Sequence, residues 1–326
     1  MIKTIIPVKK ELKDYKVTIG ADPELFLKDG RGNLVPAFFY IKGTKDSPEP
    51  ISGNGHAIQF DNVMAEYNIP ACKTEDEFVE ANKFVLNYIE ETICKPNDLT
   101  LSITASEHLG EEYLSNETAN TFGCSPDFNA YTLEQNTFSR PNQTSRSAGA
   151  HLHCSYPGLN YDKAMKLIKA MDLLISVPLV ILEPSSERKL LYGKAGSHRF
   201  KEVSNDLCII EYRSPSNFWL TSETMMRFVY QQIIKAVEFV ETEQIITNEL
   251  DIINAINDND GSKALEILGD YNIDLDDSLI EELDYFKENP TSKRVVLLGK
   301  NELVSEEDLS KENIEHTWDD NDSLGG

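Results

Sequence analysis

Four short segments of this sequence each place two polar side chains two positions apart in an otherwise apolar stretch. The pairs are Asp22 and Glu24, Glu66 and Asn68, His151 and His153, and Glu211 and Arg213. Successive side chains of a β-strand point to opposite faces, so both members of each pair project from the same face. Isolated buried charges are costly unless they are paired or bound to a metal. The sequence therefore predicts a sheet with one carboxylate-rich face, and a bound metal is the simplest way to stabilise it.

Each pair taken alone is also compatible with an ordinary solvated strand face, and His151 and His153 alone fit a structural pair equally well. Four pairs on separate strands favour a common site, because solvated faces usually carry a mixture of Lys, Thr and Ser. Carboxylates with one or two imidazoles suit Mg²⁺ or Mn²⁺ better than structural zinc, which prefers tetrahedral Cys and His ligands. We expect the site to bind a metal-complexed polyphosphate.

The remaining segments mix strand-like and helix-like patterns without regular alternation. Segments rich in Val, Ile, Phe, Tyr and Thr predict strands at 15–28, 34–41, 57–68, 99–105, 146–155 and 206–213. Apolar residues at helical spacing predict helices at 74–94, 161–182 and 221–242, followed by short acidic helices at 244–257, 262–268 and 277–287. Pro178 is expected to kink or end the second helix, and 295–298 to add one strand. This order indicates an α+β fold with a largely antiparallel sheet.

The charge of the chain is concentrated near its end. The 326 residues include 55 acidic and 31 basic residues, and 243–289 alone holds 14 acidic and 2 basic residues. We divide the chain into a main domain that holds the four pairs (1–242), an acidic, mostly helical extension (243–300) and a flexible acidic tail (301–326). Such a charge repels nucleic-acid phosphate and anionic membranes, so we expect neither as a partner.

The sequence also indicates a cytoplasmic protein. No apolar run approaches the roughly 18 residues that span a bilayer, and the opening MIKTIIPVKK is too short in apolar residues for a signal peptide. The five cysteines are scattered without a CxxC pair, which predicts reduced thiols used as small core residues.

The segment from Tyr192 to Arg199 combines two glycines with Lys194 and Arg199. Glycines allow a ligand to approach the backbone closely, and the cations suit phosphate. A plain surface turn is equally compatible with this composition, but its place just before the Glu211 strand favours phosphate binding. The irregular stretch 107–145 is a candidate lid, in which Asp127 and Asn129 are either substrate contacts or part of an Asx turn.

Six segments resemble, in order, the phage and bacterial type-2 amidoligases, which are carboxylate-amine ligases of the glutamine synthetase superfamily. They are GADPELFL (20–27), VMAEYNIP (63–70), GCSPDFNAYT (123–132), SAGAHLHCS (147–155), YGKAGSHRFK (192–201) and IEYRSPSNFWL (210–220). Together they cover roughly residues 15 to 242. The resemblance implies a glutamine synthetase-like fold, in which a curved, mostly antiparallel sheet is lined by the active site and backed by helices.

The resemblance also implies roles for individual side chains. The implied ligands of two or more Mg²⁺ or Mn²⁺ ions are Asp22, Glu24, Glu66, His151 and Glu211. The implied contacts of ATP phosphates are His153, Lys194, Arg199 and Arg213, with Arg199, Glu211 and Arg213 as the catalytic set. Asp22 stands where the wider superfamily has Glu, and Asn68 stands where a further acid is expected, so Asn68 joins Asp127 and Asn129 as a substrate candidate.

The implied activity is ATP-dependent formation of an amide bond between a small-molecule or peptide carboxylate and an amine. The carboxylate attacks the γ-phosphate to give an acyl phosphate, and the amine then displaces phosphate. Three alternatives remain open: a metal-dependent hydrolase, a guanidino kinase on the same fold, and a non-catalytic phage scaffold protein.

Overall fold

The computed structural model describes residues 15–120, 127–137, 143–183, 187–204 and 206–281. Within these ranges the strands are β1 (Thr18–Asp29), β2 (Leu34–Val35), β3 (Glu49–Pro50), β4 (Ala57–Asp61), β5 (Met64–Asn68), β6 (Leu99–Ser102), β7 (Ser106–His108), β8 (Phe128–Asn129), β9 (Ser145–Ser147), β10 (Ala150–Ser155), β11 (Ser197–Ser204) and β12 (Leu207–Tyr212). The α-helices are α1 (Glu75–Ile89), α2 (Glu117–Asn120), α3 (Tyr161–Met171), α4 (Val177–Leu182), α5 (Arg188–Leu191), α6 (Glu223–Glu241), α7 (Glu249–Asn257) and α8 (Gly261–Tyr271).

The main sheet is antiparallel throughout its described ladders and is organised around β1. Its strand order is β3-β4-β5-β1-β10-β12-β11-β8, with β2 and β6 also pairing with β1. The first half of β1 pairs with β10 from Thr18 to Pro23, Glu24 and Leu25 pair with β5, and the last residues pair with β6 and β2. The predicted α+β class with a mostly antiparallel sheet is confirmed.

Helices cover the face of the sheet opposite the polar pairs. Ile19, Leu152 and Ile210 alternate with the polar residues of β1, β10 and β12, are fully buried, and lie in the same core as α1, α3 and α6. Each such side chain contributes roughly 2 kcal/mol by leaving water. The Thr74 and Ser222 side chains cap α1 and α6 by accepting hydrogen bonds from the Glu77 and Met225 backbone N–H groups. The helical layer thus fixes one face and leaves the other for the site.

Two predicted strands are interrupted in the structure. The predicted strand 34–41 was mostly wrong: after β2, Pro36 lacks an N–H and precedes a 3₁₀ helix, Ala37–Phe39. The predicted strand 57–68 is a hairpin of β4 and β5, which turns at Asn62 with φ +56°. Asn tolerates this left-handed conformation, so the turn needs no glycine or proline. The sequence therefore contains no signal for a break between the two strands.

The strand β11 lies in a stretch to which the sequence patterns assigned neither a strand nor a helix. Its residues SHRFKEVS are mostly polar and include four exposed positions at its end. Among the described residues, the two-residue β8 is the strand that continues the sheet beyond β11. A strand so near the edge buries little apolar surface, which is why hydrophobic alternation did not reveal it.

The predicted helix 161–182 is divided by a π-helical stretch, Asp172–Ser176, between α3 and α4. Pro178 does not end the helix, because it falls in the first turn of α4, where a missing N–H costs little. The π-helical stretch begins with a fully buried carboxylate, Asp172.

The acidic extension packs on the rest of the chain. The buried residues of α7 and α8, including Ile252, Ile256 and Ile267, belong to the same hydrophobic core as the sheet domain, and α8 contacts α4. Helix α7 begins later than the predicted start at 244, and residues 277–281 are helical as predicted. The rest of that helix, the predicted strand at 295–298 and the acidic tail lie outside the described residues.

Four cysteines, Cys72, Cys94, Cys154 and Cys208, are buried free thiols, as predicted, and Cys124 lies outside the described residues. Among the described helices, none has the length and apolar character needed to cross a membrane.

An ion-pair network joins the N-terminal ends of α1 and α6. Arg227 Nη1 lies 2.8 Å from Glu75 Oε1 and 2.7 Å from Asp76 Oδ1, and Arg227 Nη2 lies 2.7 Å from Glu223 Oε1. We expect Arg227→Ala to lower the free energy of unfolding by roughly 1 kcal/mol, because the network is partly exposed. Chemical denaturation should show this loss and should show none for Arg31→Ala, which removes an exposed arginine from a turn. Equal values for both variants would contradict a role for the network.

Candidate functional site

The strand register brings the four predicted pairs together on one face of the sheet. Asp22 lies opposite His151 between β1 and β10, and His153 lies opposite Glu211 between β10 and β12. Glu24 lies opposite Glu66 between β1 and β5. Side chains separated by nearly two hundred positions in the sequence therefore lie in one patch on the same face of the sheet, on successive rungs of the ladders.

One end of this patch is a cluster of carboxylates and imidazoles. Asp22 Oδ1 lies 3.3 Å from His151 Nδ1 and 3.3 Å from His153 Nε2, and His151 Nδ1 lies 3.6 Å from Glu211 Oε1. One ligand atom from each of Asp22, His153 and Glu211 falls within 4.8 Å of the other two. This donor set fits a divalent cation. His153, for which the resemblance implies a phosphate contact, thus lies among the candidate metal ligands.

Two arginines flank Glu211. Arg199 Nη1 lies 3.2 Å from Glu211 Oε1, and Arg213 Nη1 donates to the same oxygen. Arg213 is only 1% exposed; its Nη2 donates to the Tyr192 hydroxyl, and its Nε lies 3.6 Å from Asp127 Oδ2. The carboxylate cluster therefore has a buried, oriented positive charge at its border.

A second cluster consists of the buried carboxylates Glu24, Asp61 and Glu66. Glu24 Oε2 accepts a 2.6 Å hydrogen bond from the Gly149 N–H, while Glu66 Oε2 is buried and accepts no hydrogen bond from the described part of the chain. Sequence reasoning missed Asp61 and its neighbour Gln59. Their spacing of two within a predicted strand is the same signal that identified the four pairs.

The environment of the second cluster raises the pKa values of its carboxyl groups. Burial, helped by the charge of Asp61, raises the pKa of Glu24 to about 8. Burial also raises the pKa of Glu66 well above its usual range, with Asp22 and Glu24 adding to the effect, and raises the pKa of Asp61. These raised pKa values favour the protonated, neutral form of the three carboxyl groups in the absence of a neighbouring cation.

The first cluster is electrostatically mixed. Burial and then Asp22 raise the pKa of Glu211 to about 7, against the influence of Arg199. Burial would raise the pKa of Asp22, but His153 and His151 outweigh it, so that pKa lies below its ordinary value. Burial and Arg213 lower the pKa of His151 to about 3, which leaves a neutral imidazole able to donate a lone pair.

A buried arginine that the sequence analysis missed fixes the backbone around the site. Arg188 donates from Nε to the Ala148 carbonyl (3.0 Å), from Nη1 to the Ser214 carbonyl (3.1 Å) and from Nη2 to the Arg213 carbonyl (3.2 Å). A Cβ atom at Gly193 would lie 1.3 Å from Arg188 Nη1. Arg188 lies outside every strand and periodic helix of the sequence pattern, so nothing local identified it.

The glycine-containing segment forms a tight loop before β11. Gly193 and Gly196 have φ values of +67° and +77°, which only glycine adopts readily. Arg199 extends from β11 into the site, whereas the Lys194 side chain is exposed. Asn129 Oδ1 accepts the Tyr131 N–H (2.9 Å), which is the Asx turn considered above, and Asn129 Nδ2 donates to the Ala195 carbonyl (3.0 Å).

The remaining substrate candidates lie around the same face. Asn68 Nδ2 is 3.4 Å from Gln59 Oε1, and Asp127 is fully buried beside Arg213. Their contacts with a substrate stay a prediction. So does the lid: residues 121–126 and 138–142 of that stretch are outside the described residues, and the described part contains β7, α2, β8 and β9.

Comparisons with known proteins found only structural likeness. No protein-family model matches the chain, and no curated protein matches it. The complex between the prokaryotic ubiquitin-like protein Pup and its ligase PafA aligns with a TM-score of 0.45 and 11% identity, over 92% of this chain and 63% of that chain. A bifunctional glutathione synthetase from Pasteurella multocida aligns with a TM-score of 0.43 and 12% identity, over 84% of this chain and 47% of that chain. The chain thus spans less than two thirds of either protein.

Proposed function

We propose that the protein is an ATP-dependent carboxylate-amine ligase that forms an amide bond through an acyl phosphate. The observation that carries this proposal is the patch of buried and half-buried carboxylates and imidazoles bordered by Arg199 and the buried Arg213. Anionic ligands for divalent ions beside fixed guanidinium groups suit phosphoryl transfer, where positioning and charge stabilisation supply most of the catalysis. The six segments that resemble type-2 amidoligases support the same activity.

The donor set fits Mg²⁺ or Mn²⁺ ions. Asp22, His151, His153 and Glu211 would hold one ion, and Glu24, Glu66 and Asp61 a second. A cation would offset the raised pKa values of Glu24 and Glu66, and it would give Glu66 Oε2 a partner that the described residues do not supply. Bound ions would neutralise the charge of the ATP phosphates and polarise the phosphorus–oxygen bonds.

The arginines would act on the transferred phosphoryl group. Arg213 is held by Tyr192 and Asp127, so its guanidinium needs little reorganisation when charge develops on the phosphate. In the first step a substrate carboxylate oxygen bonds to the γ-phosphorus and ADP leaves. In the second step the amine nitrogen bonds to the acyl carbon, loses a proton, and inorganic phosphate leaves with the oxygen that came from the carboxylate.

The test measures ADP release and the transfer of this carboxylate oxygen into phosphate. Purified protein with ATP and Mg²⁺ is screened against amino acids, short peptides and amines, with ADP release as the readout. We expect release that requires Mg²⁺, a carboxylate and an amine together, and transfer of ¹⁸O from a labelled carboxylate into phosphate. Calorimetry with ATP and Mg²⁺ tests nucleotide binding before any substrate is known.

Other outcomes would replace the proposal. Amide or ester cleavage without nucleotide would indicate a hydrolase, and a phosphorylated guanidino product without an amide would indicate a kinase. Absence of nucleotide binding by a folded protein would indicate a non-catalytic scaffold protein.

A further inference from the structure

Helix α7 of the acidic extension contacts the glycine-containing loop of the candidate site directly. The backbone N–H of Ala195 donates a 2.9 Å hydrogen bond to Oδ1 of Asn257, the last residue of α7. Ala195 is fully buried. Asn257 lies beyond the region that resembles known ligases, so nothing in that resemblance assigns it a role.

The polar backbone groups of this loop are each held by a different part of the fold. The Gly196 N–H donates to Asp172 Oδ2 at 2.6 Å, and the Ala195 carbonyl accepts from Asn129 Nδ2 at 3.0 Å. The Lys194 carbonyl accepts from Ser214 Oγ at 2.8 Å. The acidic extension contributes the hydrogen bond with Asn257. It is the bond that satisfies the Ala195 N–H, because the other three contacts involve the Gly196 N–H and the Ala195 and Lys194 carbonyls.

Helix α7 is fixed well enough to act as a support. Ile252 and Ala255 are fully buried in the shared core. At the N-terminal end of the helix, Glu249 Oε1 lies 2.8 Å from Lys169 Nζ, and that ammonium lies 5.0 Å from the centre of the Tyr131 ring, next to the Asn129 turn. The helix is therefore tied to the same surroundings as the loop at both of its ends.

The orientation of the loop matters for the site because the loop leads into β11. The Ser197 carbonyl accepts the Arg213 N–H at 2.9 Å, and Arg199 follows two positions later. A buried amide that loses its acceptor must rotate toward another acceptor or admit water. Such a rotation at Ala195 would shift the segment that places both arginines.

We propose that α7 is part of the nucleotide site and that Asn257 is a positioning residue, which holds the Ala195 amide and with it the loop before Arg199. This inference rests on the proposed ligase function. It predicts that the acidic extension is required for nucleotide binding, although every candidate metal ligand and arginine lies before residue 243.

The test compares Asn257→Ala with Asn254→Ala in the full chain. Asn254 lies on the same helix and is exposed, so its replacement controls for the loss of an Asn side chain from α7. In Asn257→Ala we expect amide hydrogen exchange at Ala195 and Gly196 to accelerate at least about tenfold. We also expect the Kd for ATP with Mg²⁺ and the nucleotide KM to rise about tenfold. The KM values for carboxylate and amine should not change.

A third variant separates positioning from general stability. Asn257→Asp keeps an acceptor at the same place, so amide protection at Ala195 should return toward the original value. Unchanged exchange in Asn257→Ala, or equal acceleration in Asn254→Ala, would overturn the inference. If the unmodified protein binds no nucleotide, the ligase proposal fails, and the exchange data still decide whether Asn257 holds the loop.

Discussion

Glu211→Gln is expected to lower ATP-dependent ADP release on the order of 10³-fold with the fold intact. The Glu211 carboxylate accepts from both Arg199 and Arg213 and lies in the cluster with Asp22 and His153. Glutamine keeps the shape but removes the charge that a divalent ion requires, and it turns one acceptor into a donor facing a guanidinium. Activity and Mn²⁺ affinity, measured by calorimetry, should therefore fall together.

Glu202→Gln provides the matched control. Glu202 lies at an exposed position of β11, away from the cluster, so its replacement makes the same chemical change outside the site. This variant should retain the original rate and metal affinity. Full activity in Glu211→Gln would contradict the proposed metal and phosphoryl site, whereas loss of activity in both variants would point to damage to the sheet.

Gly193→Ala is expected to damage both stability and activity. Its φ of +67° already disfavours any side chain, and the new Cβ would lie 1.3 Å from Arg188 Nη1. The end of a flexible arginine usually moves away at little cost, but this guanidinium is buried and bonded to three backbone carbonyls. Strain and lost hydrogen bonds together should cost roughly 3 kcal/mol and lower the melting temperature by roughly 6 °C.

Gly269→Ala tests whether this loss is specific. Gly269 is an exposed residue of α8 with open space around its Cβ position, so alanine there should stabilise the helix slightly. Scanning calorimetry on both variants gives the comparison. A melting temperature for Gly193→Ala equal to that of the original protein would show that the Arg188 side chain can move at little cost. It would contradict the role of Arg188 in fixing the backbone around the site.

The central part of the site could be predicted because strand geometry is local. Asp22, His151 and Glu211 sit in strands with clear apolar alternation, and a spacing of two fixes their common face without knowledge of the fold. The same reasoning applied to Gln59 and Asp61 would have added the second cluster. Those residues were passed over because the turn at Asn62 carried no glycine or proline and the two strands β4 and β5 read as one.

Other residues could not be found from local pattern. Arg188 lies in a part of the sequence without strand or helix periodicity, and its role depends on carbonyl groups of residues 148, 213 and 214 that only the folded chain brings within reach. Asn257 contacts a loop 62 positions earlier in the sequence. Strand β11 lacked the apolar alternation that identifies a strand, so Arg199 was assigned to a loop although it lies in the sheet.

Strand β1 changes its pairing partner from β10 to β5 between the two carboxylate clusters. Pro23 is the last residue paired with β10, and Glu24 is the first paired with β5. Asp22 and Glu24 therefore supply two different clusters from positions two apart on one strand, and the distance between their Cα atoms is set by covalent geometry at about 7 Å. No rearrangement of loops can alter that interval, so any molecule that engages both clusters must conform to a spacing that the polypeptide backbone itself imposes.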